Sequence, residues 1–367
     1  MGPACFHTGP PSLRDARELT AYTLRHTTRK RGKTASVEGF MHDSGLNEAE
    51  RRLQPRFSLA GLVGGLLVAA IVLAVAWRWD EGPDRYAMPR RSVALTAVPI
   101  AIDPASVVPL RLVGAWRLTA PDPRFGGLSA LAIDRGGLLA VSDNGVVFRF
   151  PRPGDGPPTV EIADLPDGPG SPASKTDRDS ESLARDTRGR GWWIGFETSN
   201  QLWLYDRDFT HALGSLRFGR KRWPFNRGIE AMLAEPGRLE VVPELAHEVV
   251  FEAGSKAASE PLGGVGSDIS DMVRLANGET IVLMRNLEVT GFRLGLGALV
   301  RTTAGWRVER RVPLDVGMFM NLEGIAAEPR ADGGTRLWLV TDDNFQRPMT
   351  TALFALDVPP GRWRGRD

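Results

Sequence analysis

The sequence has a single cysteine, at position 5 of 367 residues, so nearly the whole chain lacks a thiol. This absence excludes disulfides, thiolate metal ligands and a cysteine nucleophile from everything after Cys5. Histidine is also scarce, and a Ser-His-Asp triad beyond residue 42 would have to use His211 or His247. The chain has no P-loop and, after residue 80, no Gly-x-Ser-x-Gly elbow. P-loop chemistry and the α/β-hydrolase class are therefore excluded.

The chain also lacks an excess of charge of one sign, since its formal net charge is +2. A nucleic-acid-binding domain is normally strongly basic, so no nucleic-acid partner is predicted. Helical periodicity is missing as well, because no dozen residues beyond 110 follow an i, i+3, i+4, i+7 apolar pattern. Short apolar runs instead alternate with clusters of Gly, Pro, Asn and Asp, which predicts a nearly all-β domain.

One run near the N-terminus carries no charge. Residues 57–77 are uncharged and almost entirely apolar, and 21 residues of helix span roughly the 30 Å core of a bilayer. Arginines precede this run, which places the N-terminus in the cytoplasm by the positive-inside rule. The polar segment 1–56 is predicted to be a disordered cytoplasmic N-terminus, with Met41 as an alternative start. Residues 57–77 are thus predicted to be a transmembrane or signal-anchor helix.

The apolar run leaves two interpretations open. Ala74-Val75-Ala76 is a small-x-small sequence of the kind that signal peptidase cleaves. The run is longer than the usual signal-peptide core of about 7–15 residues, which favours an uncleaved anchor. Both interpretations export the rest of the chain. We expect an inner-membrane anchor with a periplasmic domain, or a secreted periplasmic protein if cleavage follows Ala76.

A short, mostly acidic phrase recurs five times, each time where a strand is expected to begin. Aligned on their charges, successive copies lie 52, 49, 41 and 52 residues apart. The aligned residues are Ser129, Glu181, Glu230, Asp271 and Glu323. A period of about 40–50 residues filled with short strands is typical of a β-propeller.

The strand-turn-strand spacing within each repeat predicts four-stranded blades. Five repeats bear the motif, and a sixth blade built from the poorly patterned ends is the alternative. The fold class is therefore all-β, a β-propeller over residues 110–358, rather than a β-sandwich, which would not need this period. Residues 78–109 are predicted to be a linker, with a first edge strand within 80–108 as the alternative, and 359–367 a tail.

A second set of charged residues follows the next strand of each repeat. Its members are Asp143, Glu197, Glu244, Arg285 and Asp342, with Asp343 beside the last. Because a hairpin returns the end of its second strand to the start of its first, both sets are expected on one face of the disc. Glu181, Glu230, Asp271, Glu323, Asp143, Glu197, Asp342 and Asp343 are therefore candidate metal ligands.

Carboxylates forced together repel one another, and a divalent cation relieves that repulsion. A donor set of oxygen atoms suits Ca²⁺ or Mg²⁺, and a bound ion could activate water for attack on an ester. Arg178, Arg227 and Arg285 lie near the motifs and are candidate ligands for an anionic substrate. The alternative is structural, because carboxylates at strand starts can also accept backbone N–H bonds and join neighbouring blades.

At these motifs the chain resembles the phytase-like family, described as "esterase-like activity of phytase". The segments that carry the resemblance are 125–131, 141–145, 179–184, 226–232, 320–325 and 341–345. The resemblance covers about 110–358 and implies an exported propeller that hydrolyses phosphate or carboxylate esters. It further implies a calcium site to which Glu181, Glu230, Asp271 and Glu323 contribute. Ser129 departs from the pattern because it carries no charge.

Two functions follow from these expectations. The first is a membrane-anchored, divalent-metal-dependent hydrolase of a small anionic phosphate or carboxylate ester, with Ca²⁺ or Mg²⁺ as its cofactor. The second is a non-catalytic propeller that binds a ligand or a cell-envelope partner. Convergence of the acidic residues on a common point would favour the first.

Overall fold

The computed structural model describes residues 88–218, 223, 227–245, 247–253 and 256–365. The predicted membrane segment 57–77 and the polar segment 1–56 lie outside these residues. Among the described residues, no helix is long and apolar enough to cross a membrane.

The described part of the chain is almost entirely β-structure. Its strands, in chain order, are β1 Arg91–Ala94, β2 Thr96–Pro99, β3 Arg111–Thr119, β4 Leu128–Asp134, β5 Gly137–Ser142, β6 Val146–Phe150, β7 Thr159–Asp164, β8 Ser180–Arg185, β9 Gly191–Phe196, β10 Gln201–Asp206, β11 Ala212–Arg217, β12 Ile229–Glu235, β13 Arg238–Pro243, β14 Glu248–Ala253, β15 Lys256–Gly263, β16 Asp268–Arg274, β17 Thr280–Glu288, β18 Gly291–Thr302, β19 Gly305–Leu314, β20 Asn321–Pro329, β21 Thr335–Asp342 and β22 Ala352–Val358. A 3₁₀ turn, Pro104–Val107, and a one-turn helix, α1 (Lys175–Arg178), accompany them.

Consecutive strands form antiparallel four-stranded units. The first three units are β4–β7, β8–β11 and β12–β15, and the fourth is β16–β19. A short parallel pairing of β15 with β19 joins the third and fourth units into one eight-stranded sheet. Tight turns containing glycine connect the strands, as in Arg135-Gly136-Gly137, where Gly136 has a φ of 76°.

The fifth unit is completed by a strand from the other end of the domain. β20, β21 and β22 are followed in the sheet by β3, which pairs antiparallel with β22. Although β3 directly precedes the first unit along the chain, and its repeat spacing would group residues 115–118 with that unit, it belongs to the fifth unit. Pairing of an early strand with the last one closes the domain, because hydrogen bonds then join its two ends.

The second half of segment 78–109 forms edge strands, as the alternative to a linker predicted. β1 pairs with β7 at the edge of the first unit, and β2 pairs with β3 at the edge of the fifth. These short strands satisfy backbone groups that the two outer edges would otherwise leave unpaired. Residues 91–99 therefore belong to the sheets.

Five hydrophobic clusters lie between consecutive units of the described domain. One, for example, packs Phe148 and Ile162 of the first unit against Trp338 and Leu353 of the fifth. The other four lie between units one and two, two and three, three and four, and four and five. The apolar sides of the sheets thus pack face to face in a cyclic order, which is the core arrangement of a β-propeller.

The predicted tail 359–367 also packs onto the domain. Trp363 is 1% exposed, its backbone N–H donates to Glu279, and its ring Nε1 donates to the Arg310 carbonyl at 2.6 Å. An aromatic side chain buries a large apolar area, and here its one polar atom is satisfied. The chain is therefore ordered past the last strand.

Candidate metal and anion site

The first strand of each unit, which we call its innermost strand, begins with a β-bulge. The register shifts after the first residues of β4, β8, β12, β16 and β20. A bulge inserts one residue without a cross-strand partner and redirects its side chain. The bulged residues are Ser129, Glu181, Glu230, Ser270 and Glu323.

The fourth repeat was therefore aligned one residue too far along the chain. Ser270 of β16 holds the position of Glu230 in β12, and Asp271 is the next residue. An alignment on acidic charge pairs Asp271 with Glu230. The apolar residues Ile269 and Ile229, which directly precede the bulged position, mark the equivalent position in the two strands. Three of the five bulged residues are carboxylates, and the other two are serines.

The two serines join neighbouring units in the same way. Ser129 Oγ donates to the Ser180 carbonyl at 2.5 Å, and Ser270 Oγ donates to the Leu322 carbonyl at 3.3 Å. Each acceptor directly precedes the bulged glutamate of the next unit. The serines thus hold the strands that present Glu181 and Glu323.

Asp271 does not join the other acidic side chains. Its carboxylate accepts backbone N–H bonds from Met272 and from Ile325 of β20, both at 2.8 Å. Burial raises the pKa of Asp271, and backbone hydrogen bonds from Ile325, Met272 and Leu131 oppose that rise. The structure therefore places this predicted ligand in a structural role that links units one, four and five.

Eight carboxylates gather where the innermost strands begin, and we call this end of the units the acidic face. Each influences the charge of at least one other, and all are buried except Glu181 and Glu244, which are half-buried. This acidic cluster consists of Asp143, Asp179, Glu181, Glu197, Glu230, Glu244, Glu323 and Asp342. Both sets of charged positions predicted from the sequence are represented in it.

Three members approach one another most closely. Glu197, Glu230 and Glu244 each offer a carboxylate oxygen, and these three oxygens lie within 4.8 Å of one another. The backbone N–H of Gly228 donates to Glu197 at 3.3 Å. Burial, followed by the nearby Asp179 and Glu244, raises the pKa of Glu197 to about 9. These groups are thus held together against their mutual repulsion.

Lys175 of α1 reaches into the cluster from outside the repeats. Its Nζ lies 3.2 Å from Asp143 and 3.6 Å from Asp179. Burial opposes the charge of Lys175, but Asp143, Asp179 and Glu181 outweigh burial and raise its pKa. Even with this partner, burial raises the pKa of Asp143 to about 6.

Arg285 is the second cation in the cluster. It forms an ion pair with Glu323 and donates to Asn321 Oδ1 at 2.9 Å. Burial opposes its charge, whereas Glu323, Glu230 and other carboxylates raise its pKa. Arg285, predicted as a substrate ligand, thus lies among the acidic side chains. Its side chain remains 21% exposed, so solvent or a ligand can reach it.

The other predicted residues lie at the edges of the cluster. Asp343 accepts hydrogen bonds from Gly127 N at 2.9 Å and from Thr351 Oγ1 at 2.9 Å, and so holds the first motif. Arg227 is exposed and acts electrostatically on Glu244. Arg178 is buried and faces Tyr205 and neighbouring loop carboxylates rather than the acidic cluster, and burial lowers its pKa.

Buried polar atoms beside the cluster lack hydrogen-bond partners in the described structure. They include Asp143 Oδ1 and both amide atoms of Asn144, a residue that is 1% exposed. A buried polar atom without a partner is costly and calls for a water or an ion. Asp143 Oδ1, Asn144 Oδ1 and the carboxylates of the three close glutamates are hard oxygen donors of the kind that Ca²⁺ or Mg²⁺ prefers.

Glu244 was identified as a charged repeat position but not as a candidate ligand. Two further members of the site, Asp179 and Lys175, were not predicted at all. Asp179 directly precedes a repeated motif, so its position was a usable signal. Lys175 lies in the loop between β7 and β8, outside any repeated pattern. No periodicity could have identified it.

A family model described as "Phytase-like: Esterase-like activity of phytase" matches residues 123–345. No curated protein matches the chain. Similar solved structures include the glutaminyl cyclase of Myxococcus xanthus, with 12% identity, 67% of this chain and 95% of that chain covered, and a TM-score of 0.42. The WD40 repeats of RRP9 have 8% identity, with 73% of this chain and 100% of that chain covered, and a TM-score of 0.37. The β-propeller domain of Myceliophteria thermophila Cps50 (Swd1) has 12% identity, with 63% of this chain and 68% of that chain covered, and a TM-score of 0.32.

The family match spans more than half of the chain and contains both sets of repeated motifs. The resemblance noted in the motifs is thereby confirmed. The chain belongs to the phytase-like family.

Proposed function

We propose that this protein is a divalent-metal-dependent hydrolase of a small anionic phosphate or carboxylate ester. The observation that carries this proposal is a charge imbalance. The acidic cluster contains eight carboxylates, and two cations, Lys175 and Arg285, lie among them. A divalent ion would relieve the remaining repulsion while the carboxylates stay ionised. Protonation would also relieve it, but the carboxylates would then lose their negative charge.

The donors present suit such an ion. Glu197, Glu230 and Glu244 would hold it, because their carboxylate oxygens lie within 4.8 Å of one another. Asp143 Oδ1 and Asn144 Oδ1 are separate buried oxygen donors, without partners among the described residues, at the first unit's side of the acidic cluster. When bound, a divalent ion would polarise the ester oxygen and lower the pKa of a water molecule. The ion is taken to be Ca²⁺ or Mg²⁺ because the donors are oxygens of carboxylates and amides.

The two cations of the cluster would bind the negative charge of the substrate. Arg285 and Lys175 remain 21% and 17% exposed, so both retain access to a ligand. A guanidinium group binds phosphate or carboxylate oxygens through paired hydrogen bonds. We therefore assign Arg285 to orient the anionic group of the substrate, with Arg227 at the rim. Arg178 is left out of this assignment because its guanidinium group faces other residues.

We further infer that the five units are the five blades of a closed propeller. The cyclic order of the hydrophobic clusters and the pairing of β3 with β22 support this count. Closure brings the five bulged positions around one axis. It accounts for the electrostatic interaction of Glu181 with both Glu230 and Glu323, which lie in different units.

We also propose that residues 57–77 anchor the chain with its domain in the periplasm. The uncharged run and the preceding arginines support this placement. Carbonate extraction of membranes tests anchoring, because an anchored chain stays in the pellet. N-terminal sequencing of the mature chain tests the alternative, in which the protein begins at residue 77.

Calorimetric titration with Ca²⁺ and Mg²⁺ tests the metal site. We expect Glu230→Gln and Glu323→Gln to weaken binding, while Glu309→Gln, away from the cluster, leaves binding unchanged. Hydrolysis of p-nitrophenyl phosphate and p-nitrophenyl acetate is then measured with and without the ion. A protein that binds neither ion and cleaves neither ester would instead be a non-catalytic binding propeller.

A further inference from the structure

The acidic face carries a projecting hairpin. β17 pairs with β16 up to Arg285, opposite Asp268 at the start of β16. β17 and β18 continue beyond this point and pair with each other through Leu287–Phe292 and Glu288–Gly291. Residues 286–292 therefore extend past the other strands on the side of the acidic cluster.

This hairpin and the loop beside it expose large apolar side chains. Leu287 is 59% exposed, Val289 106%, Met318 54% and Phe319 46%. The backbone N–H of Phe292 donates to the Met318 carbonyl at 3.1 Å, so the hairpin and the loop lie side by side. Four adjacent apolar side chains in water mark a contact surface. We call these four residues the apolar edge.

The chain also enters the domain on the acidic face. Met88 N donates to Asp164 Oδ2 at 2.8 Å. Asp164 ends β7 opposite Val146, which directly follows the turn that carries Asp143. The segment that leads back to residues 57–77 therefore starts at the same end of the domain as the apolar edge.

The length of that segment limits the distance to the bilayer. Ten residues lie between Trp77 and Met88, and ten extended residues reach about 35 Å at most. Exposed arginines, Arg227 and Arg347, lie at the same end of the domain. The hairpin itself carries the exposed Arg293, which pairs with Glu288 at 2.8 Å. Exposed apolar side chains at an end of a domain that also carries basic residues are typical of segments that bind at a membrane interface.

We propose that the apolar edge inserts into the lipid bilayer to which the chain is anchored, so that the acidic face opens toward the membrane surface. This inference rests on the proposed anchoring by residues 57–77. It makes the substrate of the site one that is present at the membrane surface. Leu213, 51% exposed near the start of β11 at the opposite end, provides a matched reference position.

The test uses the full chain in vesicles of phosphatidylethanolamine and phosphatidylglycerol that contain a quenching lipid. In a Cys5→Ser background, Val289→Cys, Phe319→Cys and Leu213→Cys each carry an environment-sensitive fluorophore. We expect quenching and a blue shift at 289 and 319 and neither at 213. These substitutions replace exposed side chains, so the melting temperature should not change.

Carbonate extraction of the same vesicles separates the two proposals. If the protein stays in the membrane and position 289 behaves like position 213, the proposed insertion is wrong although the anchor is correct. If the protein is released, the anchor is wrong, and the released chain is added to fresh vesicles. Quenching at position 289 then supports insertion of the apolar edge without the anchor, and an absence of quenching overturns that insertion. If quenching is absent, unlabelled Val289→Cys chains are treated with a copper–phenanthroline oxidant, and a disulfide between two chains would show that a second copy, and not the bilayer, covers the apolar edge.

Discussion

The carboxylate of Asp271 accepts a 2.8 Å hydrogen bond from the backbone N–H of Ile325, in the innermost strand of the next unit. Its other oxygen accepts from Met272 N. The backbone N–H of Leu131 is a third donor to this carboxylate, so Asp271 is a buried acceptor shared by units one, four and five. It is the one aligned acidic position whose role is structural.

Replacing Asp271 with alanine should destabilise the fold without altering metal affinity. The backbone N–H groups of Ile325, Met272 and Leu131 lose their acceptor, at about 1–3 kcal/mol for each that stays buried without a partner. Denaturant unfolding measures the loss, and Asp271→Asn should recover part of it because one acceptor oxygen remains. Weaker Ca²⁺ binding by Asp271→Ala at unchanged stability would instead make Asp271 a ligand.

The serine bulges should contribute unequally to stability. Ser129→Ala removes a hydrogen bond of 2.5 Å, and Ser270→Ala removes one of 3.3 Å. We expect a loss of about 0.5–1.5 kcal/mol for the first and a smaller loss for the second. Urea midpoints of the two variants test this order, which an equal or reversed effect would contradict.

In the absence of divalent ions, stability should fall as the pH rises from about 5 to about 9. The folded pKa of Glu197 is raised from 4.5 to about 9, so the folded state binds more protons than the unfolded state in this range. The stabilisation of the folded state that comes from protonating Glu197 is fully present below pH 4.5 and is lost as the pH rises through about 9.

Melting temperatures in EDTA across this range measure the slope, and Glu197→Gln should flatten it. Saturating Ca²⁺ should flatten it as well, because the ion replaces the proton. A melting temperature that rises with pH in EDTA would contradict the assignment.

Removing the charge of Lys175 should tighten divalent-ion binding. Lys175 neutralises Asp143 and Asp179, and so competes with an added cation. We expect Lys175→Met to bind Ca²⁺ about tenfold more tightly, whereas Lys175→Arg, which keeps the charge, stays close to the parent. Unchanged or weaker calorimetric affinity of Lys175→Met would show that Lys175 and the ion do not compete.

The C-terminal segment should be needed for stability. Trp363→Ala removes a fully buried ring and should cost about 3–5 kcal/mol. Trp363→Phe should cost less, because it keeps most of the apolar contact and loses the bond to the Arg310 carbonyl. Arg364, which is exposed, provides the control as Arg364→Ala.

Local patterns were sufficient to predict the strands and the side of the domain where charge accumulates. A strand buries alternate residues, and a glycine turn reverses it, so the repeats at Glu181, Glu230 and Glu323 were readable from short windows. The hairpin relation then placed Asp143, Glu197 and Asp342 at the same end. These steps need contacts only within one repeat.

The remaining features depend on which repeats become neighbours. Asp271 is separated from the cluster by a one-residue bulge offset, and a bulge is not visible in an alignment made on charge. Lys175 comes from a non-repeating loop, and β3 completes the last unit through hydrogen bonds to residues far along the chain. Sequence alone therefore determined the repeating all-β framework and the location of its charges. Only the tertiary structure decided which of these carboxylates face one another and which, like Asp271, are taken up by backbone N–H groups, because the groups they meet lie largely in adjacent units.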